Sequence, residues 1–361
     1  MFRILHLSYN LAKIFLEIIM TLVLGIETTC DETACSLVRN GTEILANVVS
    51  SQIDLHNEYG GVVPELACRR HVDLLLPTLD KALQDAQVSL EQIDLIAVAH
   101  APGLIGALLI GINAAKSLSI ALQKPFVGVN HVEAHLYAAL MSQPAFPTFP
   151  CLGIVLSGGH TSLIKMNAIG DYTLLGQTID DAIGESFDKT AKILGLPYPG
   201  GPYIEKLAKQ GNPLAYPFKP GRVKGRVLDF SFSGLKTQAL YAVKGQNERD
   251  EQRVLSDQQK NDLCASFQET AFMDVIGKAL QAAKQENCQT IVLGGGVTHN
   301  QHLRSLFQQK APGFHFVWPK NELSLDNAAM IAGLGYHVYQ QKGKGDSLDL
   351  EAKTRTPFYS R

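Results

Sequence analysis

No two of the six cysteines (Cys30, Cys35, Cys68, Cys151, Cys264, Cys288) form a C-x-x-C pair. That argues against a zinc ribbon or a disulfide framework and fits a reducing cytoplasm. Positive charge is not in excess either. Lys plus Arg (32) meets Asp plus Glu (34) for a formal net charge of -2, so any nucleic-acid contact must rest on a local patch. A long uncharged apolar run is missing from the start of the chain. His6, Asn10, Lys13 and Glu17 interrupt every window of residues 1–19, and no small-residue cleavage site follows. Neither a membrane span nor a signal peptide is expected there. Met20 stands directly before TLVLGIETTC and is the expected first residue of the fold, with 1–19 a spurious or unstructured extension. Short repeats, low-complexity tracts and the Walker and dinucleotide fingerprints are absent as well.

What is present is a globular composition, 46% hydrophobic and 18% charged, in a chain long enough for two lobes. From Thr21 onward strands and helices alternate, the mark of an α/β protein. LVLGIET (22–28), TACSLVRNG (33–41) and EILANVVSS (43–51) predict an antiparallel meander. A helix from Val62 to Ala86, a strand at 94–100, a helix to about Leu122 and a strand at 125–129 follow. After the Pro-rich QPAFPTFP (143–150) the plan restarts with three strands, a helix from Asp181 to Leu194, a long helix over 257–286, and strands at 290–295 and 314–318. Such a duplicated pattern predicts two lobes around a cleft: 20–129 with 325–345, and 130–324, with 346–361 as a tail. The stretch 197–236, rich in Pro, Gly and Lys/Arg with little apolar periodicity, reads as a basic insertion over the second lobe.

The sharpest constellation is NHVEAHL (130–136). His131 and His135 are four apart, so on a helix both imidazoles face one side. Such a pair serves a metal or simply packs. A zincin places its general base directly after the first His. Glu133 is two positions on, rotated about 200° around the helix, which removes that base. Asp326, in the turn before a terminal helix, is either a backbone cap or a third ligand. Two His and one carboxylate would leave open positions for Lewis-acid chemistry. Three glycine-bearing turns, GIETTCDET (25–33), VLSGGHT (155–161) and VLGGGVTHN (292–300), fall at equivalent points of the two halves and suit a bound phosphate. Asp31 and Glu32, at the first strand's end, are candidate proton acceptors or a pair capping a turn. Lys219, Arg222, Lys224 and Arg226 form the best local patch for phosphate contact, or a solvated loop.

These runs, with YGGVVPELACRRH (59–71), DDAIGESFDKTAKILGLPYPGGP (180–202), DFSFSGLKT (229–237) and DNAAMIA (326–332), resemble the TsaD family, formerly called Gcp or O-sialoglycoprotein endopeptidase. The resemblance extends over nearly everything from Met20 onward, in order. It implies two ribonuclease-H-like lobes of the actin, Hsp70 and sugar-kinase superfamily. It implies transfer of threonylcarbamoyl from threonylcarbamoyl-AMP to the exocyclic amine of tRNA adenosine 37. By motif, His131, His135 and Asp326 are then the metal ligands, with Fe2+ the usual assignment and Zn2+ the alternative. Val155, Leu156, Ser157, Gly158 and Gly159 match the loop holding the adenylate, while Asp188, Gly201, Glu205 and Asn300 match further ligand positions. Glu205 stands where many members have Asp, and Asn130 replaces a His found in some. A smaller TsaB-like paralogue and a TsaE-like P-loop ATPase are the implied protein partners.

Three other readings compete. A small-molecule kinase of the same superfamily would share the glycine turns but has no use for two His. An Hsp70-like binding module would need a peptide-binding domain, for which no residues remain. The metalloprotease fails on the position of Glu133.

Overall fold

The computed structural model describes residues 21–245 and 255–355; the extension 1–19 and the end of the tail from 356 lie outside the described residues. Strands β1 (Leu22–Glu27), β2 (Glu32–Arg39) and β3 (Glu43–Ser51) pair antiparallel. Asn40 and Gly41 turn β2 into β3 with φ of 51° and 78°, left-handed backbone that Asn and Gly accept most readily. The short helix α1 (Ile53–Asn57) and the long α2 (Pro64–Ala86) then lead to β4 (Leu95–Ala101). Helix α3 (Ile105–Leu122) leads on to β5 (Phe126–Asn130). β4 and β5 add parallel beside β1, giving the order β3-β2-β1-β4-β5.

Helix α4 (His131–Leu140) follows β5 without a loop and carries the chain to the second sheet. There β6 (Cys151–Leu156), β7 (Thr161–Ala168) and β8 (Asp171–Gln177) form the antiparallel half. Helices α5 (Ile183–Ile193), α6 (Gly200–Ala208), α7 (Ser233–Lys244) and α8 (Asp257–Gln285) precede β9 (Thr290–Gly294). Helix α9 (Gln301–Lys310) and β10 (His315–Val317) complete the sheet, and α10 (Ala328–Lys342) returns to the first one. The second order, β10-β9-β6-β7-β8, is the first read from its other edge.

The layers follow from where the apolar faces point. α2 and α3 close the outer face of the first sheet over Leu24, Ile26, Leu37 and Val98, α3 through Leu108 and Ile112. Ile154, Leu163, Phe187, Phe267, Phe272 and Phe307 fill the outer core of the second. α4 and α10 lie between the sheets against Val23, Val129, Val155 and Val292, and all ten residues of α4 are buried. Two glycines permit that seating. A Cβ at Gly25 of β1 would stand 2.2 Å from the Ala328 carbonyl oxygen, and one at Gly294 of β9 would stand 2.4 Å from that of His135.

Within residues 197–236, 200–208 form α6, with Ile204 and Ala208 buried against the second core. The glycines and prolines there start a helix instead of preventing one. Pro202 sits in the first turn, whose N–H groups lack intrahelical acceptors anyway. Among the described residues, Ile105–Leu122 alone is long and apolar enough to cross a membrane. It packs along β4 and α2 through Leu108, Ile112 and Ala115. The described part of the tail runs back over the first lobe. Gly128 N–H donates to Asp346 Oδ2 at 2.8 Å, and Lys353 N–H donates to the His100 carbonyl at 3.0 Å.

Candidate metal centre between the lobes

β5 ends on Asn130, whose Oδ1 accepts the N–H groups of Val132 (2.9 Å) and Glu133 (3.2 Å). The cap fixes the first turn of α4 and satisfies two donors that the helix itself cannot. His131 therefore sits at the first helical position and His135 one turn on, their ring centroids 4.6 Å apart and their planes at 77°. Asp326 approaches from the turn before α10. Its Oδ1 lies 3.2 Å from His135 Nε2 and 3.5 Å from His131 Nε2. It is not the cap of that helix, because Asn327 Oδ1 accepts the Met330 N–H at 3.1 Å. Among the described residues these three form the one His/Cys/Asp/Glu cluster with metal-site spacing, all ligand atoms within 4.8 Å of one another. Glu133 is outside it.

The donor chemistry fits a divalent metal. His135 Nδ1 is buried without a hydrogen-bond partner and its Nε2 meets only the Asp326 carboxylate, an arrangement that is costly unless something else answers the ring. Two imidazoles and one carboxylate suit iron or zinc and leave coordination positions free.

Glu27, at the end of β1, was missed by sequence reasoning. It is fully buried; its Oε2 stands 2.8 Å from His131 Nδ1, and its Oε1 accepts the Thr29 N–H at 2.6 Å. Burial works against charge on His131, but Glu27 and Asp326 outweigh it and hold the imidazole up at about 9. Burial likewise works to raise Asp326, yet His131 and His135 keep it well below the ordinary carboxylate range. His160, in the SGGHT turn, was also missed. Burial, then the neighbouring His131 and His135, push it down to about 3, so it stays a neutral imidazole facing the cluster's field.

The turn after β1 carries Asp31 and Glu32. Burial raises both, to about 8 for Glu32, and the negative charge of Asp326 adds to each. Ser51 Oγ donates to Glu32 Oε1 at 2.8 Å, while Glu32 Oε2 is buried without a hydrogen-bond partner. From α2, fully buried His71 holds this turn, with Nε2 2.9 Å from the Cys30 carbonyl and Nδ1 2.7 Å from Thr33 Oγ1. Neither acid caps a helix.

The matching turn in the second lobe follows β6. Val155 and Leu156 are fully buried, so only their backbone is available to a ligand. Ser157 folds the turn back, its N–H donating to the His160 carbonyl (2.9 Å) and its Oγ accepting the His160 N–H (3.1 Å). Gly158 and Gly159 are exposed, and a Cβ on either would meet open space. Asp188 accepts the Gly200 N–H at 2.7 Å, and burial lifts it to about 6. It thereby orders the start of α6, where Gly201 also faces open space. Glu205 and Asn300 meet at the start of α9. Glu205 accepts the Gln301 N–H at 3.0 Å, while Asn300 accepts from Leu303 N–H (3.1 Å) and donates to Gln268 Oε1 (2.8 Å).

In the basic patch Lys219, Arg222, Lys224 and Arg226 are all exposed. Arg226, however, is paired with the buried carboxylate of Asp229, which reduces its charge toward an outside phosphate.

Two sheets of one strand order, with central helices between them and a His/His/carboxylate cluster at their junction, define a two-lobed actin-like α/β protein with a candidate metal centre. HypF from T. kodakarensis shares this fold with a TM-score of 0.59 at 15% identity, over 92% of this chain and 49% of that one. The family model for tRNA N6-adenosine threonylcarbamoyltransferase, TsaD, matches residues 43–333, and the chain belongs to that family. A tRNA N6-adenosine threonylcarbamoyltransferase of Protochlamydia amoebophila is 62% identical, covering 94% of this chain and 99% of its own. The namesake of Chlamydia felis is 51% identical over 88% of this chain and 92% of its own.

Proposed function

We propose that this chain transfers threonylcarbamoyl from threonylcarbamoyl-AMP to N6 of adenosine 37 in tRNAs that read codons beginning with adenine, releasing AMP. Family membership together with the convergence of His131, His135 and Asp326 between the lobes carries this reading. In the reaction the N6 amine forms a bond to the carbamoyl carbon, the bond from that carbon to the phosphate oxygen breaks, and the amine loses a proton. An adenine amine is a poor nucleophile, so positioning and charge stabilisation must supply most of the rate.

His131, His135 and Asp326 would hold one divalent metal, Fe2+ by expectation and Zn2+ as the alternative. When bound, it supplies Lewis acidity and an anchor for an oxygen of the donor. The turn Val155–Gly159 receives the adenylate through its backbone, with Asp188 and Gly201, and Glu205 and Asn300, bordering the nucleotide. Asp31 or Glu32 takes the amine proton, a role suited to carboxyls that burial has raised toward neutral pH. Lys219, Arg222 and Lys224 steer the tRNA backbone. The lobes are assigned to 20–129 with 325–345 and to 130–324, followed by the tail 346–361. A smaller TsaB-like paralogue and a TsaE-like P-loop ATPase are the proposed protein partners, in the cytoplasm.

The test supplies purified protein with threonylcarbamoyl-AMP, unmodified tRNA and the two accessory proteins, and reads the nucleoside by mass spectrometry. Formation of threonylcarbamoyladenosine supports the proposal. ATP-dependent phosphorylation of a small molecule, with tRNA unchanged, would favour the kinase reading.

A further inference from the structure

We infer that Glu27 is a positioning residue that sets His131 for metal binding and ties the Asp31–Glu32 turn to the same centre. The two imidazoles of the cluster are not equivalent. His135 has no hydrogen-bond partner on Nδ1, whereas His131 Nδ1 faces Glu27 Oε2 at 2.8 Å. A carboxylate can only accept there, so Nδ1 carries its proton, and Nε2, on the Asp326 side of the ring at 3.5 Å from its Oδ1, is the nitrogen that would ligate a metal. Thr29 Oγ1, 3.3 Å from the same Nδ1, adds a second contact that restrains the ring.

The other oxygen of Glu27 has separate work. Oε1 accepts the Thr29 N–H at 2.6 Å, and Thr29 opens the segment that reaches Asp31 and Glu32 two and three residues later. One fully buried side chain thus bridges α4, which carries both histidines, and the turn carrying the proposed proton acceptors. A carboxylate at this depth without partners would be prohibitively unfavourable, and both its oxygens are engaged. Topology makes the contact possible. β1 and β5 both run parallel to β4, so Glu27 and His131 emerge at the same end of the sheet, beyond the strands' carboxyl ends. This inference rests on the proposed metal site but not on the identity of the acceptor RNA.

The experiment measures Zn2+ and Co2+ affinity of the full chain by chelator competition, with the d–d spectrum of the Co2+ form, for wild type, Glu27→Gln and Glu27→Ala. Gln keeps an acceptor for one of the two bonds but cannot serve both, so it should lose about 10-fold in affinity. Ala serves neither and should lose about 100-fold, with a shifted Co2+ spectrum in both variants. Glu27→Gln is isosteric, and its metal-free melting curve reports folding should Glu27→Ala prove unstable. Affinities and spectra equal to wild type in Glu27→Gln would reduce the pair to a packing contact and overturn the inference. So would failure of wild type to bind either ion. Because no RNA is present, a failed tRNA assay alongside a positive result here would count against the transfer reaction alone.

Discussion

The turns after β1 and after β6 occupy equivalent places in the two halves, yet their chemistry is opposite. Residues 28–32 bring Asp31 and Glu32 into a wall braced by Glu27 and His71, where burial and negative neighbours hold both acids toward their neutral forms. Residues 157–160 offer two exposed glycines with open space around them and an imidazole that burial keeps uncharged. Two equivalent strand ends thus carry opposite side chains, and on the proposed reading one would take a proton and the other an anion. The histidines of α4 and Asp326 stand where the halves meet.

Exchanging charges in the acidic turn is the strongest way to break this contrast. If one acid accepts the amine proton, Asp31→Asn or Glu32→Gln should lower kcat by about 1,000-fold with donor KM little changed. Steady-state kinetics across pH identifies the residue, since its removal also abolishes the acidic limb of the profile. Crowding the opposite turn should act on binding. Gly158→Val finds free space in the protein, so its melting temperature should match wild type, while donor KM should rise by roughly 10-fold or more if that space receives the adenylate as proposed.

A smaller effect separates the acids by stability. The folded protein holds the Glu32 proton to about 8, well above the ordinary Glu value of 4.5. Between those values the folded state binds more protons than the unfolded state, so this group's contribution falls as pH rises through that window. Glu32→Gln should therefore flatten the decline of melting temperature from pH 5 to 8, read by thermal melts at matched ionic strength. The smallest effect concerns RNA. Arg222→Ala with Lys224→Ala should reduce the salt slope of tRNA binding by roughly 1.5. Arg226→Ala should change the slope less and stability more, because it exposes the buried Asp229 to loss of its partner. Affinity titrations over a salt series separate the two.

Much of the fold was legible in the sequence because strand ends and turns are local signals. The Asn40-Gly41 turn and the first run of three strands stand within two residues of their expected places, and a second run of three strands follows the Pro-rich connector as expected. Helix α6 was hidden because Pro199, Gly200, Gly201 and Pro202 resemble a loop, while tertiary burial of Ile204 decides the matter. The His131/His135 pair could be found by its spacing, and Asp326 only through its motif, since 191 residues separate it from His135. Glu27 and His160 were missed for a related reason. Their partners come from other elements, and a lone Glu near a strand end carries no spacing to mark it. Asn130 and Asn327 show the reverse case, short polar residues before helices whose capping role a local rule could have supplied.

By the proposed mechanism, transfer depends on a metal held by His131, His135 and Asp326. The most direct test is single-turnover transfer from supplied threonylcarbamoyl-AMP to tRNA, in the presence of the accessory proteins, at graded Fe2+ or Zn2+ loading of the wild-type chain and of His135→Ala. The rate should rise in proportion to metal bound, and His135→Ala should lose both metal and at least about 100-fold of the rate while melting as a folded protein. Transfer at the full wild-type rate by chelator-stripped protein would rule out a metal requirement.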